Sequence, residues 1–128
     1  MRFIIFYISF KLRYFKLQKL IVDKKYQELY KQIDDYIIMV ETDLEGVITY
    51  ATKPFSKISG YSRKELIGKN INLLKHPDVS QEFFQKLWNE LKVNKLWEGE
   101  IKNQDRYGNS YWIKGVIFPK YNFDNEIV

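Results

Sequence analysis

Within the four residues Lys75-His76-Pro77-Asp78 the chain sets a cation, its one imidazole and a carboxylate side by side. A lone histidine rules out any site that needs two imidazoles, whereas a haem iron can take a single axial His. The competing reading of His76 is a loop histidine hydrogen-bonded beside a helix cap. Asp78 can open the helix that follows, as its N-cap, or serve as a ligand group. The sequence has no cysteine, which excludes a disulfide framework, thiolate zinc, iron–sulfur ligation and thiol catalysis. Nor does it contain a phosphate-cradling glycine-rich loop, and no nucleophile–base–metal constellation can be assembled. The residues therefore point away from a stand-alone enzyme.

Downstream of that run stand the other candidates. Trp88, Trp97 and Trp112 are the chain's three tryptophans, in a sequence that is 17% aromatic. Such rings can fill a core or wall a pocket for a flat ligand. Asn103 is polar in an otherwise apolar row. It either pairs with a neighbouring backbone group or reads a ligand edge.

The elements that position these residues follow from periodicity. Pro77 and Asp78 open a predicted helix on which Phe84, Leu87, Trp88 and Leu91 share a face that Phe83 widens. Residues 96–104 read as a strand, with Trp97, Gly99, Ile101 and Asn103 on one face. Residues 105–109 form a glycine-containing loop. Residues 110–120 return as a strand, with Tyr111, Ile113 and Ile117 on one face and Trp112, Val116 and Phe118 on the other. Upstream, residues 36–42 are rich in branched residues and read as a buried strand. A turn ending at Gly46 leads to a second strand over 47–51. Pro54 suits the first turn of a short helix that Gly60 ends. Ser62 and Glu65 make a capping box for another one-turn helix. Two antiparallel hairpins flanking a helical connection define an α+β domain.

The net charge of +5 is unevenly spread. Arg2, Lys11, Arg13, Lys16, Lys19, Lys24, Lys25 and Lys31 face only Asp23 and Glu28 within the first 33 residues. The remainder is close to neutral, which argues against a nucleic-acid-binding face on the folded part. Residues 1–10 include the apolar run FIIFYISF. It is too short to span a bilayer by itself and reads as the apolar end of a membrane or anchoring helix. The basic cluster after it fits the cytoplasmic side of a membrane. Over residues 11–33, Leu12, Phe15, Val22, Tyr26, Leu29 and Ile33 recur at heptad spacing, with Lys19 the polar exception. That stripe predicts a basic amphipathic linker helix, either folded back on its domain or forming a parallel homodimer.

Three segments carry a family resemblance: TDLEGVITYATKPFSKISGYSRKELIGKN, LLKHPDVSQEFFQKLW and LWEGEIKNQDRYGNSYWIKGVIFP. Over residues 34–128 the chain resembles a PAS domain, and within that family the subgroup typified by bacterial aerotaxis receptors. The resemblance implies a five-stranded antiparallel sheet crossed by helices, used to sense oxygen, redox state or a small molecule. It also implies FAD held non-covalently between sheet and helices, with His76 and Asp78 at flavin-site positions. Lys75 stands where the subgroup has Arg, and Thr52 where many relatives have Asn; Trp88, Trp97, Asn103 and Trp112 match further positions. A haem, or no ligand at all, are the other readings, the latter making this a dimerisation module. The resemblance further implies a fifth strand at the centre of the sheet, of which Glu126–Val128 would be the beginning. The expectation is a fragment of a longer cytoplasmic protein, tethered at the inner face of the membrane, whose output domain (a kinase, cyclase or chemotaxis transducer) lies outside it.

Overall fold

A computed structural model describes residues 9–128, with side chains from Lys16 onward. The expectation for the apolar run of residues 3–10 falls almost wholly outside the described residues. Helix α1 spans Ser9–Tyr36, three residues beyond the predicted helical end. No helix among the described residues is long and apolar enough to cross a membrane.

The first predicted strand is corrected: β1 is only Val40–Thr42, because Tyr36 still belongs to α1 and Ile37 donates its N–H to Ile33 O at 2.9 Å. Tyr36, Ile37 and Ile38 are exposed, not buried as expected. Strand β2, Ile48–Ala51, pairs antiparallel with β1. Between them Asp43 Oδ1 accepts from the N–H groups of Glu45 and Val47, both at 2.9 Å.

Short helices α2 (Lys53–Ser59) and α3 (Arg63–Leu66) follow, the first ended by Gly60 and the second opened by the Ser62 capping box, as the sequence predicts. Thr52 caps α2 and is fully buried. Its Oγ1 accepts from Met39 N–H at 3.0 Å, so one hydroxyl fixes both the entry to β1 and the start of α2. Gly60 closes α2 at φ 78°, and a Cβ there would meet Arg106 Cβ at 3.1 Å. The Ser62–Glu65 capping box is complete, with reciprocal bonds of 2.8 and 3.2 Å. A 3-10 turn over Ile71–Leu74 then leads to the Lys75–Asp78 run.

The long helix α4 covers Gln81–Asn94 and β3 and β4 cover Trp97–Gln104 and Ser110–Ile117. The register pairs Trp97 with Ile117, Gly99 with Gly115, Ile101 with Ile113 and Asn103 with Tyr111. Alternating burial along β4 confirms the two faces read from the sequence. The hairpin tip is pinned to the front of the domain. Arg106 N–H donates to Ser59 O at 2.9 Å, and its guanidinium meets both oxygens of Glu65 at 2.7 and 2.9 Å.

The core is a cluster of Ile48, Ala51, Phe55, Leu66 and Leu74, flanked by Val40, Tyr61 and Ile71. Among the described residues β1–β2 and β3–β4 are separate two-stranded sheets. Lys120 reaches from beyond β4 to Glu41 at 2.9 Å. Past a turn held by Asn122 Oδ1, Ile127 bridges antiparallel to Tyr121, and Val128 N–H donates to Lys120 O at 2.9 Å.

Candidate sensory site

The helix bearing the candidates starts later than the sequence suggests. Ser80, not Asp78, is the N-cap of α4, its Oγ accepting from Phe83 N–H at 3.2 Å. Pro77 and Asp78 form a turn ahead of it. This moves Asp78 off the helix and frees its carboxylate, which takes Lys102 Nζ at 3.1 Å. That ion pair holds the Asp78 carboxyl below its ordinary value.

His76 lies with its ring largely covered, and its Nδ1 accepts the Asp78 backbone N–H at 3.0 Å. Nδ1 is thereby assigned as the unprotonated nitrogen, leaving the ring proton on Nε2. Lys75 bridges Asn103 through its backbone, and its ammonium sits 5.0 Å from the centre of the Phe84 ring. The Lys75–Asp78 run thus lies along the edge of β3 that β4 does not occupy.

Above the inward face of the hairpin is an aromatic group. Trp97 is buried, and Phe83 meets it edge-to-face at 6.1 Å while also meeting Phe84 at 5.4 Å. The Trp97 indole lies flat along its own strand over Gly99: a Cβ on Gly99 would stand 2.6 Å from Cζ2 and 2.8 Å from Cη2. Opposite Gly99, a Cβ on Gly115 would meet nothing nearer than Ile113 Cγ2 at 3.9 Å. Two cross-strand glycines therefore leave a flat floor, roofed on one side by indole and open on the other. Asn103 and Tyr111 are the polar end of that floor. Among the described residues no hydrogen bond of good geometry reaches the buried Tyr111 Oη, although the Asn103 side chain lies beside it. Burial pushes its phenol up, against a smaller opposing pull from the Asn103 side chain.

Not every predicted residue joins this group. Lys75, His76, Trp97 and Asn103 surround the inward face and its edge. Asp78 turns to the outward side, where it lines an open groove of about 390 Å³ with Ser80, Phe83, Glu100, Lys102 and Trp112. Trp112 is 64% exposed on the outer face. Trp88 is 53% exposed, so the helical face that buries Leu87 leaves it outside. Sequence reasoning missed the Gly99–Gly115 pairing and Tyr111. The signal was available: a five-residue loop over 105–109 sets Asn103 opposite Tyr111 once the ladder is counted back from it. Among the described residues no group of three or more His, Asp or Glu side chains is placed to hold a metal ion.

A sequence model described as "PAS domain" matches residues 34–128. The chain belongs to the PAS domain family. It is 37% identical over 86 residues to the aerotaxis receptor of Escherichia coli K12, covering 67% of this chain and 17% of that protein. It is 34% identical over 86 residues to the nitrogen fixation regulatory protein of Klebsiella pneumoniae, again covering 67% of this chain and 17% of that one. The chain thus spans about a sixth of these relatives' length. Among solved structures, the PAS domain of a protein from Colwellia psychrerythraea superposes with a TM-score of 0.72 at 27% identity, covering 80% of this chain and 87% of that one. The dark structure of the Aureochrome1 LOV photoreceptor superposes at 0.63 with 21% identity, over 76% of this chain and 72% of that one, a likeness of fold. With this family the α+β architecture read from the sequence stands, and the chain is a PAS sensory domain.

Proposed function

We propose that this PAS domain is the input module of a longer signalling protein. It takes a planar ligand such as FAD against the inward face of β3–β4 and relays its state through α1. The observation carrying this reading is the open space over Gly115, beside a Gly99 already covered by the Trp97 indole. A flat face without Cβ atoms, bounded by aromatic rings and a polar end, suits a planar heteroaromatic group. Trp97 and Phe83 would pack against such a group, and Asn103 and Lys75 would meet its polar edge. A bound flavin would supply reversible electron uptake, the chemistry that links redox state to protein conformation. The similarity to a protein named aerotaxis receptor supports the sensory role.

His76 fits a structural or flavin-edge role better than an axial haem ligand. Its Nδ1 is engaged as an acceptor, so presenting an Nε2 lone pair to iron would break the bond from Asp78 N–H. The deciding experiment is uptake of FAD by the purified chain, read as flavin absorbance and quenched flavin fluorescence. Protein that stays colourless after incubation with excess FAD would overturn the reading.

A second reading, a parallel homodimer through α1, has its own support. Val22, Tyr26 and Leu29 of the heptad stripe are exposed along the described helix. Removing residues 1–33 and measuring mass by sedimentation tests it; an unchanged oligomer would sink it. The basic character of the same segment supports a position at the inner face of a membrane.

A further inference from the structure

The tip of the β3–β4 hairpin and the last turn of α1 are fastened to the same one-turn helix. Glu65 of α3 takes Arg106 Nη1 on both its oxygens, Oε1 at 2.7 Å and Oε2 at 2.9 Å. Oε2 also accepts the Ser62 N–H at 2.8 Å, so the grip on the tip and the capping box that shapes α3 share one atom. Two residues before Glu65, Arg63 forks onto the Asp34 carboxylate of α1. Leu66, fully buried, sets the same helix on the core. Each guanidinium is backed by a ring 5.6 Å away, Arg106 by Tyr61 and Arg63 by Tyr50. Helix α2 repeats the connection. Ser59 O at its end accepts the Arg106 N–H at 2.9 Å, and Lys53 at its start meets Asp35 of α1 at 2.6 Å.

Isolated exposed ion pairs contribute little, but a forked arginine inside a network of charges is the exception. We propose that α3 is a lever that couples the hairpin tip to α1. A shift of the tip draws Arg106 away from Glu65, loosens the carboxylate that caps α3, and so weakens the hold of Arg63 on Asp34. The lever rests on the reading of α1 as the relay and deepens it, because it gives β3–β4 a route to that helix. Coupling of this kind is reciprocal, so releasing α1 must also loosen the tip.

Native-state amide exchange of the ligand-free 128-residue chain tests the lever. No ligand enters the experiment, so protein that fails to take up FAD leaves the lever standing, and a failed lever leaves the planar-ligand reading intact. The Ile37 N–H, bonded to Ile33 O, reports on the end of α1, and the Arg106 N–H, bonded to Ser59 O, reports on the tip. Ladder amides around Trp97, at the far end of the hairpin, report on the domain as a whole. Arg106→Ala should cut protection at Ile37 about fivefold or more relative to those ladder amides, and Asp34→Asn should cut it selectively at the Arg106 N–H. Glu65→Gln, which keeps an acceptor for the cap but loses the charge that holds Arg106, should show the same selective loss at Ile37. In an Asp34→Asn background, Arg106→Ala should lower Ile37 protection by only about twofold or less, because α3 no longer holds the helix. Ile37 protection that merely follows the ladder amides in Arg106→Ala and Glu65→Gln would overturn the lever. So would losses from Arg106→Ala and Asp34→Asn that multiply in full in the double variant.

Discussion

The Asp34 carboxylate is gripped by both terminal nitrogens of Arg63, Nη2 to Oδ1 at 3.0 Å and Nη1 to Oδ2 at 3.2 Å. Tyr50 Oη donates to the same carboxylate at 3.0 Å, and the guanidinium lies 5.6 Å from the Tyr50 ring centre. Asp34 and Asp35 occupy the last turn of α1, where negative charge opposes the helix dipole. Their partners on α2, α3 and β2 offset that cost. The linker helix is thereby tied to the sensory core at one point, and any displacement of α2 or α3 bears on it.

Asp34→Ala is therefore expected to destabilise the domain by about 1–3 kcal/mol, since it leaves Tyr50 Oη and a half-covered guanidinium without their acceptor. Arg63→Lys should recover only part of this, because an ammonium keeps the charge but not the planar fork. Urea denaturation of the three proteins measures it. Amide exchange should show the end of α1 losing protection before the β3–β4 hairpin does. Equal protection of α1 in Asp34→Ala would mean that the helix is held elsewhere.

The neighbouring Asp35 makes the same junction sensitive to acid. Hydrogen bonds from Lys31 and Lys53 hold its carboxyl at about 2, below an ordinary value of 3.8. A carboxyl depressed in the folded state contributes stability that is full above its unfolded value and is lost as pH falls through the folded one. The contribution is therefore present above 3.8 and drains away towards pH 2. Because Lys53 and Lys31 are exposed, the effect is small and shrinks with salt. Thermal melts taken downward through this window at low ionic strength should fall less steeply for Asp35→Asn than for wild type. Parallel acid limbs would show that Asp35 does not contribute.

Local signals in the sequence were legible where one residue type solves one local problem. The capping box at Ser62–Glu65 and the alternation along β4 needed only neighbours a few residues away. The start of α4 misled because Asp78 and Ser80 are both good caps two positions apart. What decides between them is Lys102, distant in sequence, which takes the Asp78 carboxylate for itself. Trp88 misled for a related reason. Its helical face is apolar, but α4 buries only Leu87, so the stripe is wider than the surface it meets. The Asp34–Arg63 tie spans 29 residues and has no local signature. Tyr111 needed the strand register, which sets it opposite Asn103.

Thr52 carries a third expectation. Its buried Oγ1 accepts Met39 N–H at 3.0 Å and also caps Phe55 N–H at 3.4 Å. Thr52→Val keeps the shape but leaves the partly buried Met39 N–H without its acceptor, for an expected loss of about 1–3 kcal/mol. Thr52→Ser should retain most of the stability, since only a methyl group goes. Chemical denaturation of both variants separates the hydroxyl from packing: equal losses would place the role of Thr52 in its methyl group.

The two floor glycines should respond in opposite ways to the same added methyl group. At Gly99 a Cβ would stand 2.6 Å from the Trp97 indole, whose Phe83 contact leaves it little room to yield. Gly99→Ala is thus expected to cost about 1–3 kcal/mol through overpacking. At Gly115 the nearest atom is 3.9 Å away, so Gly115→Ala should leave the ligand-free melt within about 0.5 kcal/mol of wild type. The same methyl group would project into the space proposed for a planar ligand, and FAD binding by Gly115→Ala should fall at least tenfold, about 1.4 kcal/mol. Paired melting curves and flavin titrations distinguish the outcomes. A Gly115→Ala protein that melts normally and binds FAD as wild type does would move the ligand off this floor, whatever becomes of Gly99.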